Sequence, residues 1–320
     1  MRAAVVNNPE MPPVCAEFAD PEPLPGREPL TLVGAGVHNV VRGIAAGRHY
    51  RSANRYPMVP GIDAVARTSD GRLVYTAFAQ VPWGTMAERM ATPLGLDLPA
   101  GADPLAVAAG INPGASGWIV LADRRKEVGA LGTVLVLGAT GMSGGMAVQS
   151  ALALGAERVI ATGRDPEALD RLRGFGATTV SIAGAGPDTL ATALGAAVAE
   201  APPALVLDYL WGPVAEAALA AFGTDSKPDD NTPGIAYVQI GSLAGDTAAV
   251  PAPLLRSRRI RLTGSGAGSF TKEQMIAVIP DVMAHLADGS LEAPYTAYPL
   301  SRVEQAWAHQ GRTRAVVVPD

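Results

Sequence analysis

The chain has 320 residues, 48% of them hydrophobic and only 17% charged, with a formal net charge of −5. This length and apolar content describe a folded globular protein with room for two domains, and they exclude a disordered chain. The acidic balance and the lack of any Lys/Arg block argue against a nucleic-acid or anionic-membrane partner.

In chain order, the first hundred residues read as short strands punctuated by Gly and Pro. Ala3 to Val6 is a strand, and the acid- and proline-rich connector PEPLPGREP that follows is extended. Pro29 to Val37 is another strand, and Asn39 to Ala46 reads as one or two helical turns. Pro57 to Arg67 and Leu73 to Phe78 pair across the turn Ser69-Asp70-Gly71, and Gly84 to Met90 adds a short segment. The expected result is a compact antiparallel barrel or sandwich. The single cysteine, Cys15, rules out an internal disulfide framework and reads as a small strand or buried residue. MRAAVVNNP enters a strand-like run rather than a signal peptide, and no apolar run reaches the roughly 18 uninterrupted residues of a membrane span, so the expected address is the cytoplasm.

The pattern changes at about Ala102. Asp103 to Ala109 reads as a helix with Asp103 as N-cap and Pro104 at its first position, and Gly114 to Ala122 as a second helix. Strands then alternate with helices, near 133–138, 158–162, 178–182, 204–209, 236–240 and 260–264, which predicts a parallel doubly wound sheet. Thr224 to Gly234 reads as an exposed loop. A helix is expected from Thr271 to about Ala287, then Val303 to Trp307 and a final strand Ala315 to Val318.

The most informative stretch runs from Val134 to Arg164. Val134 to Leu137 is a buried strand, and Gly138, Gly141, Gly144 and Gly145 crowd the turn after it. Apolar and small residues at helical spacing follow from Met146 to Leu154. A glycine-rich turn opening a helix after a buried strand presents backbone N–H groups and the positive helix end to a diphosphate. Ala139, Thr140, Gly141, Met142, Ser143 and Gly144 are therefore candidate cofactor residues. At the end of the next strand, about 20 residues beyond Gly144, an NAD site carries Asp or Glu. This chain has Gly163 and Arg164 there, a guanidinium suited to the 2′-phosphate of NADPH; the alternative is a solvated surface cation beside Asp165.

These residues, together with Gln149, Val59-Pro60-Gly61, Gly84-Thr85-Met86-Ala87-Glu88, the strand end Tyr237 to Ser242 and the terminal Ala315 to Pro319, resemble the medium-chain dehydrogenase/reductase superfamily, and within it the zinc-free quinone oxidoreductase branch. The resemblance spans essentially the whole chain. It implies an α/β fold with a Rossmann domain, residues 114–267, inserted in a β-rich GroES-like catalytic domain made of residues 1–113 and 268–320, with the acceptor in the cleft between them. Where zinc-dependent relatives carry Cys and Gly-His-Glu, this chain has His38 and Gly61-Ile62-Asp63, and no cysteine follows Cys15, so neither the catalytic nor the structural zinc is expected. Hydride transfer from NADPH to a quinone or α,β-unsaturated carbonyl is the reaction that remains.

Quinone reductases often have Asp and Tyr where this chain has Val41 and Gly43, so the proton donor cannot be carried over. His38 is the candidate in their place, the alternative being a structural histidine with a backbone partner. Tyr56 and Tyr50 are further candidates, and water is another proton source. By resemblance Asn112 borders the nicotinamide, or is an ordinary turn residue before Pro113. Leu210, Gly241 and Ser242, and Gly264, Ser265 and Gly266 end the fourth to sixth strands; as cofactor residues they border the nicotinamide and its ribose, and otherwise they make tight turns. Trp83, Tyr209 and Trp211 are apolar walls for a flat acceptor or core aromatics. Relatives pair through the edge of the cofactor-domain sheet, which implies a homodimer. The competing readings are a pathway-specific enoyl reductase and a non-catalytic NADPH-binding redox sensor.

Overall fold

The computed structural model describes residues 1–223 and 234–320. The loop expected at Thr224 to Gly234 lies, apart from Gly234, outside the described residues. The chain divides into two compact units, Met1–Asn112 with Pro280–Asp320 and Pro113–Ile279.

In the first unit, β1 (Arg2–Val5) pairs antiparallel with β2 (Val14–Glu17), which includes Cys15. β3 (Leu30–Gly36) leads into the short helix α1 (Asn39–Ala45). β4 (Asp63–Arg67) and β5 (Leu73–Ala77) form the expected hairpin, whose turn places Gly71 at φ +91°, a conformation that favours glycine. β6 (Arg89–Met90) pairs with β3, and β7 (Leu96–Asp97) with β5.

The helix α2 (Pro104–Val128) then runs unbroken where two helices were expected, with Pro113 inside it. Asp103 caps it, its Oδ1 accepting from Leu105 N at 2.9 Å. Pro113 leaves the Ala109 carbonyl without its helical donor, a local cost of about 3 kcal/mol or more. Tertiary packing outweighs that cost. Val107, Ala108 and Ile111 are buried before the proline, and Trp118, Ile119, Val120 and Leu121 after it. Asn112 is accordingly a helical residue and not a turn. By length and composition α2 could cross a membrane, but 67% of its apolar window is buried within the protein.

The second unit carries β8 (Thr133–Leu137), α3 (Met142–Ala153), β9 (Arg158–Gly163), α4 (Pro166–Gly174), β10 (Thr178–Ser181), α5 (Pro187–Val198), β11 (Leu205–Asp208), α6 (Gly212–Phe222), β12 (Ile235–Gln239), α7 (Ala252–Ser257) and β13 (Ile260–Gly264). All six strands are parallel, in the order β10-β9-β8-β11-β12-β13. The direction of winding reverses between β8 and β11, and in such sheets ligands bind outside the carboxyl ends of the strands at that point. Every residue of β8 and β11 is buried, which explains their unbroken apolar sequence.

The helix expected from Thr271 is two, α8 (Lys272–Ala277) and α9 (Ile279–Ala287). α8 opens with a reciprocal cap between Thr271 and Gln274, and Pro280 has no N–H to donate to the Ile276 carbonyl, which interrupts the helical ladder between the two. The chain returns to the first unit at Pro280 rather than near residue 268, because Phe270 and Val278 still pack on the core of the parallel sheet. β14 (Tyr295–Pro299), absent from the sequence reading, lies parallel to β15 (Arg314–Val318), with α10 (Val303–Ala308) between them. β15 pairs antiparallel with β3, so the first unit's main sheet runs β14-β15-β3-β4-β5-β7.

At the end of α2, Glu127 accepts two hydrogen bonds from Arg261 of β13 (2.9 and 2.8 Å) and one from Arg124 (2.8 Å). Those two guanidinium groups, Arg261 foremost, hold its carboxyl down at about 2. Because the depressed carboxyl stabilises the fold only while ionised, its contribution disappears as pH falls from about 4.5 toward 2. Glu127 is 42% exposed, so the contribution is below about 1 kcal/mol. Thermal melts of Glu127→Gln against pH are expected to show near-native stability at pH 7 and a shallower acid limb than the native chain; parallel acid limbs would refute the linkage.

Candidate functional site

The glycine turn after β8 is fixed by three constraints. Gly138 has φ +89°, and a Cβ there would sit 3.0 Å from Leu210. Ala139 N donates to Thr162 O (2.7 Å) and Gly138 N to Thr162 Oγ1 (3.3 Å), which ties the turn to β9. At Gly144 a Cβ would lie 2.3 Å from the Gly138 carbonyl oxygen, so α3 descends onto the turn backbone to backbone. The N-cap of α3 is Gly141, with no side-chain cap, and Gly145 N is the first to bond back, to Gly141 O at 2.8 Å. The N–H groups of Met142, Ser143 and Gly144 thus lack helical acceptors, and Thr140 to Ser143 are partly or fully exposed. This arrangement suits an anion.

At the tip of β9, a Cβ on Gly163 would sit 2.1 Å from Thr140 Cγ2, so this strand end lies directly against the glycine turn. Arg164 next to it is exposed and makes no ion pair among the described residues. Asp165 caps α4, its Oδ1 accepting from Glu167 N (3.1 Å) and Ala168 N (3.2 Å). The guanidinium is therefore the charge presented at this tip.

The remaining strand ends lie in line with these. Ile240 N and Gly241 N both donate to Asp208 O (2.7 and 3.1 Å), Ala244 N to Leu210 O (2.8 Å) and Ser265 N to Gln239 O (2.8 Å). A Cβ on Gly241 would sit 2.8 Å from Tyr209 O. The sheet order thus brings Arg164, the turn Ala139–Gly144, Leu210, Gly241–Ser242 and Gly264–Gly266 to one edge of the second unit. Sequence reasoning missed Asp208, the fully buried acid that joins several of these ends. Its signal was a lone carboxylate closing the apolar run Leu205–Asp208.

His38 and Tyr56 belong to the first unit. His38 is the N-cap residue of α1 and 2% exposed. Its Nε2 is 3.2 Å from Asp63 Oδ1, at ion-pair distance but without hydrogen-bond alignment, and neither ring nitrogen has a hydrogen-bond partner. The backbone partner of the alternative reading is not seen, and the charged group nearest the ring is the Asp63 carboxylate. Tyr75 donates to Asp63 Oδ2 (2.9 Å), and Thr85 Oγ1 to the Asp63 carbonyl (2.7 Å). The imidazole lies against Gly36, where a Cβ would be 2.6 Å from it. Burial, and then Asp63, push the Tyr75 hydroxyl well above its usual range. Arg314, which donates to Val37 O (3.2 Å), is drawn down to about 10 chiefly by burial, then by Arg42, with Asp63 opposing.

Tyr56 OH donates to Ala45 O at 2.8 Å, so its proton anchors the end of α1. Tyr56→Phe is expected to cost about 1 kcal/mol of stability and to leave turnover unchanged; a chemical denaturation curve beside an activity assay checks both. Tyr50 is 72% exposed. Of the aromatics read as either acceptor walls or core residues, Tyr209 is buried with its hydroxyl 3.4 Å from Ser116 Oγ, Trp211 meets Tyr237 edge-on at 6.2 Å, and Trp83 Nε1 donates to Ala19 O. Among the described residues no group of three or more His, Cys, Asp or Glu side chains could hold a metal ion.

No family model matches the chain. It is 29% identical, over the whole of both chains, to the "Probable NADPH-dependent quinone reductase tdiC" of Emericella nidulans. An alcohol dehydrogenase superfamily protein from Novosphingobium aromaticivorans matches the structure with a TM-score of 0.81 and 23% identity, with all of both chains covered. The quinone oxidoreductase of Thermus thermophilus, also crystallised with NADPH, matches with a TM-score of 0.77 and 24% identity over 99% of this chain and 100% of that one. Both structures share the fold described above.

Proposed function

We propose that this chain, which has the medium-chain dehydrogenase/reductase fold, is an NADPH-dependent oxidoreductase that passes a hydride to a quinone or another α,β-unsaturated carbonyl. The observation that carries this is the uncapped N-terminus of α3 behind a turn that excludes a side chain at Gly138 and Gly144, beside the exposed Arg164. The bare turn fits a diphosphate, and the guanidinium fits a 2′-phosphate. The full-length likeness to an NADPH-dependent quinone reductase supports the same cofactor and acceptor.

Bound NADPH would supply the hydride from C4 of its nicotinamide, becoming NADP⁺, and the acceptor would take up one proton as well. The chain's own work is placement. Thr140 to Ser143 hold the diphosphate and Arg164 the extra phosphate, and Leu210, Gly241, Ser242 and Gly264 to Gly266 border the rest of the nucleotide. In this reading the unit Pro113–Ile279 binds the nucleotide, and Asn112, the residue before it in the chain, is a further cofactor candidate.

His38 stays as the candidate proton donor, since its Nε2 lies 3.2 Å from Asp63 Oδ1 and neither ring nitrogen is committed to a hydrogen bond. His38→Gln is expected to lower turnover without changing NADPH affinity, whereas equal turnover would assign the proton to water. Tyr56 is given an architectural role. The chemistry is proposed to be zinc-independent, because Ile62 packs on the core and His38 and Asp63 occupy each other. A homodimer is proposed through β13, an exposed edge strand, and a cytoplasmic address from the single cysteine.

The test is NADPH consumption measured in parallel against quinones, enones and enoyl thioesters. Turnover of quinones or enones is expected. Turnover confined to enoyl thioesters would redirect the assignment to an enoyl reductase, and binding without turnover across the panel would leave a non-catalytic NADPH-binding protein.

A further inference from the structure

We infer that Asp208 is a positioning residue that sets the nucleotide-binding edge of the second unit, an inference that rests on the NADPH reading above. Asp208 is fully buried at the end of β11. Its Oδ1 accepts from Leu210 N (2.8 Å) and Trp211 N (2.9 Å), and its Oδ2 from Tyr237 OH (2.6 Å). Its carbonyl oxygen takes Ile240 N and Gly241 N, so one residue fastens the ends of β11 and β12. Tyr209 N donates to Leu137 O (3.1 Å), which extends the connection to β8 and the glycine turn.

The local backbone shows that this arrangement is held rather than adopted freely. Trp211 lies at φ +56°, ψ −160°, a region that strongly disfavours a large side chain and persists only where the surroundings over-determine it. The carboxylate that captures Trp211 N and its neighbour is what over-determines it. The consequence reaches the site through Leu210, whose side chain lies so close to Gly138 that a Cβ there would be 3.0 Å away. Released from Asp208, the 209–211 turn loses its two N–H anchors, and the wall against which the glycine turn is shaped goes with them. Burial raises the Asp208 carboxyl, and its three donors, Tyr237 first, oppose that rise. A buried acid held by three donors at a strand end is costly to keep for packing alone.

Binding of NADPH and NADH to the full chain, measured by fluorescence titration, tests this. Asp208→Ala is expected to weaken both nucleotides about tenfold or more, the effect of losing hydrogen bonds to a charged group. Asp208→Asn, which keeps an oxygen for Leu210 N and Trp211 N, is expected to recover most of that loss. The ratio between the two nucleotides stays at its native value in both variants, since Arg164 is untouched. Native affinity in a folded Asp208→Ala, or no recovery in Asp208→Asn, overturns the inference. Should Asp208→Ala fail to fold, Tyr237→Phe carries the test, with about threefold weaker binding of both nucleotides expected and unchanged binding counting against it. A native chain that binds neither nucleotide overturns the cofactor reading itself, and this inference with it.

Discussion

Arg164→Ala is expected to weaken NADPH binding by about 100-fold while changing NADH binding less than about threefold. The side chain is exposed at the tip of β9 and makes no ion pair among the described residues, so its removal leaves no buried charge stranded and should not disturb the fold. What is lost is charge-assisted hydrogen bonding to a phosphate at an exposed site, worth about 1.5–3 kcal/mol in all, and a factor of 100 is about 2.7 kcal/mol. NADH carries a hydroxyl at the same point and makes no such use of a cation. Because the interaction is solvent-exposed, the difference should shrink as salt is raised. Titration calorimetry with both nucleotides at two ionic strengths measures all of this. Equal losses for the two would return Arg164 to the role of a surface cation.

Gly144→Ala is expected to be strongly damaging to the second unit. Its Cβ would fall 2.3 Å from the Gly138 carbonyl oxygen and 2.8 Å from Ala139 Cα. Both obstacles are main chain, so no rotamer change relieves the clash; α3 would have to lift off the turn. Overpacking of this kind costs about 3 kcal/mol, which corresponds to a fall of about 6–12 °C in the melting transition of a unit this size. Nucleotide binding should disappear with it, because the N-terminus of α3 leaves the position in which its N–H groups converge. Gly195→Ala in α5 is the control: a Cβ there meets nothing within 4 Å, and the exchange should stabilise the helix by up to about 1 kcal/mol. Differential scanning calorimetry of the two variants separates a steric effect from a general intolerance of alanine. A melting point for Gly144→Ala within about 2 °C of the native one would refute the close-packing account.

The second unit was readable from the sequence because its central parallel strands, β8, β9 and β11, are buried on both faces and announce themselves as apolar runs. Val134 to Leu137 and Arg158 to Thr162 were located almost to the residue. The first unit was harder, since its strands run to as few as two residues and pair with partners far away in the chain, as Val316 does with Gly36. β14 was missed because its half-buried sequence YTAYP shows no apolar alternation and ends in proline. Local rules also misled where tertiary packing prevailed: Pro113 signalled a break, and the buried residues on either side of it kept α2 whole. In the candidate site, the residues that use main chain were legible through their glycines. His38 with Asp63, and Asp208 with Tyr237, were not legible as pairs, because each joins side chains that only the fold brings within reach. Of the two readings open for Tyr209, wall or core aromatic, its place in the core beside Ala147 and Gly117 matches the second.

The contact between Thr140 and Gly163 restricts how a change of coenzyme could evolve or be engineered. An acidic residue at position 163 would need a Cβ lying 2.1 Å from Thr140 Cγ2 and 2.8 Å from Thr140 Cβ, which no displacement of a side-chain tip accommodates. The two positions are therefore epistatic: Gly163→Asp becomes tolerable only in a background where Thr140 has already given up its side chain. An exchange of coenzyme that installs an acid at position 163, rather than at 164, thus needs Thr140 shortened first, and a library randomised at 163 alone in the native background is expected to be strongly enriched in glycine.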